Sequence, residues 1–266
     1  MDSPQGAALS AEDFGLKGPR GWAFRDVRFT AGPGSLVAVE GPSGSGRTCL
    51  LLALTGRMRA TRGHAEVGGE RLPGRLAAVR RFSALGPVPG VSELDPSFTV
   101  AEHLRERALF QRRFDSSPRA LLRSRARRTS SARSLIDTAL EAAELDPAAL
   151  PKAERTSVRD LERLEALRLS VALALMGRPK LLAVDDTDLK LSAADRSRAW
   201  ELLRTLADGG TTVLAVCSEA PEDALTVRTR PADGAGTPAG DTACGATDET
   251  TTEKETADAI AEAGRA

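Results

Sequence analysis

Apolar positions along the chain recur with two periods, and the switch between them marks the elements. "SLVAVE" (residues 35–40) alternates and is β-branched, "GPSGSG" is a turn, and "RTCLLLALTGRM" carries helical apolar spacing closed at Gly56. This predicts strand, turn, helix. "FSALGPV", "KLLAVDD" and "TTVLAVCS" predict three further strands, and the last two flank "AADRSRAWELLRTLADGG", an amphipathic helix ended by glycines. Strand, crossover helix, strand implies parallel pairing, since antiparallel neighbours need only a tight turn. Across residues 99–176 no strand pattern is convincing; "TVAEHLRERALFQRRF", "SARSLIDTALEAAEL" and "SVRDLERLEALRLSVALALMG" read as helices. A helical insertion in an α/β core is expected. In residues 231–266 neither period holds until the last few positions, which predicts a disordered, mildly acidic tail.

Composition narrows this picture only in places. The 266 residues suffice for one large domain or two small ones with a core that needs no disulfides. Lys plus Arg equals Asp plus Glu at 37 each, a balance that argues against a protein built to coat nucleic acid. The arginine run "RRFDSSPRALLRSRARRTSSAR" (residues 112–133) has no aromatics placed to stack bases, so it reads as a solvated loop in the insertion rather than a nucleic-acid surface. Cys49, Cys217 and Cys244 are scattered, with no C-x-x-C pair, which suits a reducing compartment and gives no zinc pattern. The start "MDSPQGAALSAEDFG" has no basic segment followed by an apolar run, so a signal peptide is not expected. The longest apolar runs fall well short of the ~20 residues needed to span a bilayer.

Chemistry concentrates in "GPSGSGRT". It follows the phosphate-loop pattern G-x-x-x-x-G-K-[ST] with arginine in place of lysine. In such a loop glycines let backbone N–H groups converge on phosphate oxygens, and the helix N-terminus adds partial positive charge. Gly41, Gly44 and Gly46 meet that need, and Thr48 offers the hydroxyl for Mg²⁺. Arg47 keeps the charge but not the shape, because a guanidinium is planar and wider than an ammonium. It could lie across the phosphates or point away.

In order and spacing, these motifs resemble the ATP-binding subunit of an ABC transporter over residues 9–230. The resemblance runs through "FRDVRFTAGPGSLVAVEGPSGSGRTCLLLALTG", "FSALGPVPGVSELDPSFTVAEHL", "MGRPKLLAVDD" and "WELLRTLADGGTTVLAVCSEAPEDA". It implies a P-loop NTPase core of ABC-ATPase type in residues 1–230, with a parallel sheet, antiparallel N-terminal strands and the helical insertion. It implies ATP held by Gly41, Pro42, Ser43, Gly44, Ser45, Gly46, Arg47 and Thr48, and Mg²⁺ held by Thr48 and Asp185. Asp186 matches the catalytic glutamate. The implied partners are a separate membrane permease, docked at the groove between core and insertion, and a second ATPase subunit. The implied location is the cytoplasmic face of the membrane.

The same comparison exposes departures. Asp186 is shorter than glutamate by one C–C bond, about 1.5 Å, and a misplacement of ~1 Å can cost 10²-fold in rate. Gly90 stands at the Q-loop position, and "LERLE" (residues 161–165) stands where the family has L-S-G-G-Q. Glu162 and Glu165 would then present carboxylates to a phosphate. Ser192 replaces the D-loop aspartate and Ser218 the switch histidine; His64 and His103 lie elsewhere. Trp22 is near, but not at, the position of the adenine-stacking aromatic, and it equally suits packing on the first sheet. A non-enzymatic pseudo-ATPase that braces a permease or a competent partner is therefore the rival expectation. A soluble P-loop kinase is disfavoured, since nothing after "LLAVDD" suggests an acceptor site.

Overall fold

The computed structural model describes residues 6–114 and 125–229, leaving aside the side chains of residues 112–131. The expected tail at 231–266 and residues 115–124 of the arginine-rich stretch lie outside the described residues; the flanks of that stretch, 112–114 and 125–133, are helical where a loop was expected. The chain opens with β1 (Leu9–Gly18) and β2 (Gly21–Ala31), then enters the core through β3 (Leu36–Glu40) and α1 (Arg47–Leu54). β4 (Arg62–Val67) and β5 (Glu70–Leu72) complete a four-stranded antiparallel sheet in the order β2-β1-β4-β5. After α2 (Leu76–Phe82) come β6 (Ser83–Leu85), α3 (Val100–Phe114), α4 (Arg125–Ala142) and α5 (Arg163–Leu175). β7 (Leu181–Val184), α6 (Ala193–Asp208), β8 (Thr212–Cys217) and β9 (Leu225–Arg228) follow. The second sheet is parallel, with five strands in the order β6-β7-β8-β3-β9.

The alternation of side chains on β3 divides the core in two. Val37 and Val39 face α1 and the antiparallel sheet, whereas Leu36 and Ala38 face a cluster built from α3, α5 and α6. β7 and β8 divide in the same way: Leu181, Ala183, Leu214 and Val216 on the first face, Leu182, Val184, Val213 and Ala215 on the second. A parallel sheet covered on both faces needs such continuously apolar strands. α1 is caught between two sheets, so it is apolar all round: Leu50, Leu51, Leu52, Ala53 and Leu54 are all buried. Full burial of a leucine contributes about 1.5–3 kcal/mol, which makes this helix a main anchor of the fold. At its C-terminal end Arg57 donates to the Thr55 carbonyl at 2.9 Å and the Ser83 carbonyl at 3.2 Å, tying α1 to β6. Burial pushes the Arg57 guanidinium down to about 10.

Two expectations need correction. The helix predicted from Ser157 begins only at Arg163, after a short 3-10 turn at Val158–Asp160 and extended residues 161–162. Tertiary hydrogen bonds override helix propensity there: Val158 N–H donates to the Phe98 carbonyl at 2.9 Å and Val100 N–H to Thr156 at 3.0 Å. "FSALGPV" supplies a strand of only three residues. β1 and β2 escaped the periodic reading because bulges break their alternation, with Asp13 (φ 48) and Asp26 (φ 55) in the left-handed region. Among the described residues no helix is long and apolar enough to cross a membrane.

One hydroxyl joins three distant segments. Thr212 Oγ1 donates to the Ala7 carbonyl at 2.7 Å and accepts from Gly34 N–H at 2.9 Å, in a fully buried position. Replacing it by the isosteric valine strands both backbone groups, each at about 1–3 kcal/mol. Thr212→Val is therefore expected to lower the unfolding free energy by roughly 2–4 kcal/mol in urea titration, with an unchanged denaturant slope.

Candidate functional site

The candidate site lies where β3 leaves the parallel sheet at its carboxyl end, the usual position for ligands in open α/β sheets. Residues 41–46 turn the chain into α1, with Gly44 at φ 77 and Gly46 at φ 80, both left-handed. A Cβ on Gly46 would run into the Ala23 carbonyl of β2, whereas a Cβ on Gly44 would meet nothing within 4 Å. One glycine is required by a close approach, the other by conformation alone. α1 has no side-chain cap and no acidic residue in its first turn. Its N-terminal N–H groups are thus left to an anion from outside, and the loop fits a phosphate group. Pro42, Ser43 and Gly44 are exposed, while Ser45 is buried. Ser45 N–H donates to Pro42 at 3.1 Å and its hydroxyl bonds Thr229, so its side chain faces the protein interior. Ser45 thus supports the loop from behind, with its N–H and its hydroxyl both engaged within the protein.

Thr48 and Asp185, from α1 and the end of β7, meet. Thr48 Oγ1 donates to Asp185 Oδ2 at 2.6 Å, and Asp186 N–H donates to Asp185 Oδ1 at 2.9 Å. Asp185 is only 1% exposed, and burial raises its pKa against the opposing hydrogen bond from Thr48. For an acid raised in the folded state, the ionised form costs stability as pH climbs above the ordinary carboxylate range. A divalent cation at this hydroxyl–carboxylate pair would offset that cost, so the donor set fits Mg²⁺. Among the described residues no group of three or more His, Cys, Asp or Glu could hold a metal ion. Such a cation would take its remaining ligands from phosphate and water. Asp186 is half-buried beside this pair at φ 49, a left-handed conformation that Asp tolerates better than most residues.

Arg47 turns away from the loop. Its Nη1 donates to the Cys217 carbonyl at the end of β8, at 2.6 Å. The Cys217 thiol is buried, which pushes it up to about 12 and leaves it inert. The next residues are held as well. Asp188 Oδ2 accepts from Ser218 N–H at 2.8 Å and from Glu219 N–H at 3.3 Å. Sequence reasoning missed Asp188; a fourth residue in "DDTD" gives no sign that it reaches across to β8.

The remaining expected residues occupy separate local roles. Glu162 is the N-cap of α5, and its N–H donates to the Glu165 carboxylate at 2.8 Å, as in a capping box. The carboxylate of Glu165 is thus spent on its own helix terminus. Ser192 caps α6, accepting from Asp195 N–H at 3.1 Å. Gly90 (φ 71) donates its N–H to Glu93 at 2.9 Å. Trp22 is half-buried on the antiparallel sheet with the Lys17 ammonium 5.8 Å from its ring centre. His64 sits in β4 near Glu12, and His103 in α3 near the Asp95 carbonyl.

Comparison with known proteins identifies the family and the fold. The family model described as ABC transporter matches residues 24–188, and the chain belongs to that family. It is 33% identical over 188 residues to the Nod factor export ATP-binding protein I of Burkholderia thailandensis, covering 71% of this chain and 55% of that protein. The chain thus spans about half the length of the curated relatives it matches. The dimeric structure of a bacterial ABC transporter cassette superposes with a TM-score of 0.64 at 19% identity, covering 85% of this chain and 96% of that one. A post-hydrolysis ATP-binding cassette bound to ADP and Pi superposes at 0.60 with 21% identity, covering 79% and 88%.

The two loop glycines separate by substitution. Gly44→Ala carries only the left-handed conformational cost of about 1–2 kcal/mol. Gly46→Ala adds a methyl group driven into the Ala23 carbonyl, so the expected loss is roughly twice that or more. Thermal unfolding of the two variants beside the parent checks the order.

Proposed function

We propose that this member of the ABC transporter family binds Mg-ATP at residues 41–48 and Asp185, as the ATP-binding subunit of a transporter whose membrane permease is a separate chain. The observation that carries this reading is the uncapped N-terminus of α1 placed one residue from the Thr48–Asp185 pair. Ser43, Gly44 and Gly46 would present backbone N–H groups to phosphate oxygens, Gly41, Pro42 and Ser45 would shape the turn that aims them, and Thr48 with Asp185 would hold the metal. Bound Mg²⁺ would supply the charge that draws electrons from the transferring phosphoryl group. Asp186 is the residue available to orient a water, from a side chain shorter than the glutamate it replaces. Arg47 must leave the Cys217 carbonyl to touch a phosphate, and a hydrogen bond to a charged group is worth about 1.5–3 kcal/mol. Binding is therefore weaker than a lysine loop would give.

Docking of the permease is supported by apolar side chains that the protein leaves in water. Val91, Phe98, Leu109 and Phe110, between β6 and the end of α3, are all exposed. They fall within residues 91–110 of the sequence, and exposed apolar side chains mark interaction sites where they share one surface. The permease contact would hold the chain at the cytoplasmic face of the membrane.

A second reading, binding without brisk turnover, rests on the engaged carboxylate of Glu165. An anion approaching α5 from another subunit would meet the Glu162–Glu165 capping pair instead of free N–H groups. Opposed like charges at an interface can cost several kcal/mol. Productive pairing would then need a different ATPase chain.

Calorimetry with millimolar Mg-ATP tests the first reading: weak but saturable heat is expected, and no heat together with no thermal protection overturns it. Arg47→Lys by itself is expected to leave turnover below ~1 s⁻¹, because several groups that act together are altered at once. Light scattering with and without Mg-ATP is expected to show no nucleotide-driven homodimer; a clean monomer-to-dimer shift removes the second reading.

A further inference from the structure

The phosphate loop rests on a residue far along the chain from it, Thr229. Ser45 Oγ and Thr229 Oγ1 lie 2.7 Å apart in a buried hydrogen bond that spans 184 positions. Both side chains are sealed from water, Ser45 at 1% and Thr229 at 5% exposed. Thr229 is itself held against the root of the loop. Its N–H donates to the Glu40 carbonyl at 2.9 Å, and its hydroxyl reaches the same oxygen at 3.4 Å. The Thr229 hydroxyl thus lies between the Glu40 carbonyl and the Ser45 hydroxyl, joining the last residue of β3 to the fifth residue of the loop. Arg228 Nε bonds the Glu40 carboxylate at 3.1 Å, so β9 and β3 are also tied on the exposed side.

Gly41 lies between these two hydroxyls. A Cβ there would clash with Thr229 Oγ1 and would come within 2.6 Å of Ser45 Oγ and 2.9 Å of the Thr229 carbonyl. Glycine at 41 is thus demanded by close packing behind the loop, with no positive φ involved. Among the hydrogen bonds described, Thr229 is the partner of the buried Ser45 hydroxyl, and that bond holds the side chain toward the interior. The Ser45 N–H meanwhile donates to the Pro42 carbonyl at 3.1 Å, so Ser45 is tied at backbone and hydroxyl together and pins the turn 42–45 against Thr229.

We propose that Thr229 is a positioning residue for phosphate binding, acting through Ser45 to hold the loop open in the shape that an anion needs. It touches no ligand. This inference rests on the Mg-ATP reading above for its effect on affinity, but the buttress itself is measurable without nucleotide. A loop held by preorganised contacts binds without a further ordering cost, and loss of the contact restores that cost at each binding event.

The test compares Thr229→Val, Thr229→Ser and Ser45→Ala with Ser83→Ala, which removes a buried hydroxyl at the opposite end of α1. Hydrogen exchange of peptides covering residues 41–48 in the nucleotide-free protein should quicken in Thr229→Val and Ser45→Ala. It should stay at the parental rate in Thr229→Ser and Ser83→Ala. Calorimetry with Mg-ATP and Mg-ADP should show affinity about 5- to 10-fold weaker in Thr229→Val, ~1–1.4 kcal/mol. Thr229→Ser should stay within about twofold of the parent, roughly 0.4 kcal/mol. Ser83→Ala should lose melting temperature with its affinity intact. The double variant Ser45→Ala/Thr229→Val should lose no more affinity than Thr229→Val alone, because both substitutions break one bond. Unchanged exchange, or parental affinity in Thr229→Val, overturns the proposal. A parent that binds no nucleotide while Thr229→Val still quickens exchange sinks the Mg-ATP reading, and with it the role in affinity, but leaves the buttress standing.

Discussion

Everything in this molecule depends on a parallel sheet that has no solvent-facing side. β3, β7 and β8 are apolar on both faces, one face covered by α1 and the antiparallel sheet, the other by α3, α5 and α6. Polar groups are therefore driven to the ends of the strands. At the carboxyl end Glu40, Asp185 and the Cys217 carbonyl come together with the start of α1, and the same burial that stabilises the fold gathers the candidate chemistry there. The sheet also dictates stiffness. Side chains at its ends are positioned by strands that cannot slip, because a shift of one residue would carry every side chain to the opposite face and undo the packing of both cores.

Charge at this end is arranged in contrasting ways on two helices. α1 keeps its N-terminus free of side-chain caps and acidic residues, so its partial positive charge is directed at the loop. α5 closes its own N-terminus with Glu162 and Glu165. The two termini have the same intrinsic attraction for anions, and local sequence decides which of them is open. Arg47 is the third element. Its guanidinium is anchored on a carbonyl rather than on a carboxylate, near enough to act on the carboxyl of Asp185. An anion in the loop and a cation at Thr48 and Asp185 would each relieve a charge that the protein leaves only partly compensated.

Neighbouring side chains show why a local motif underdetermines a site. Ser45 sits inside "GPSGSGRT", yet its hydroxyl points away from the cradle toward Thr229. Asp188, outside the recognised pattern, holds the turn after β8 by two backbone N–H groups. Both arrangements join segments far apart in sequence, and each lies in a loop where no hydrophobic period announces direction. Glu162 and Glu165 make the complementary point. Acidic residues three positions apart in "LERLE" are locally spaced for a capping box, but the tertiary bonds that hold residues 156–158 outside the helix decided that this start is the one used.

The chain's own pattern of residues determined the α/β class, the strand–loop–helix unit at 35–56, the parallel crossover through α6 and the two acidic residues ending β7. Each of these is a short-range or strictly periodic feature, so apolar spacing and glycine placement suffice to specify it. Only the tertiary structure decided that Arg47 reaches Cys217, that the helix after Ser157 waits until Arg163, that bulged β1 and β2 build a sheet over α1, and that Thr229 closes the back of the loop. Those outcomes hang on buried hydrogen bonds between distant segments. Such a bond forms because folding removes water from both partners, and that removal is a property of the packed core which no window of sequence contains.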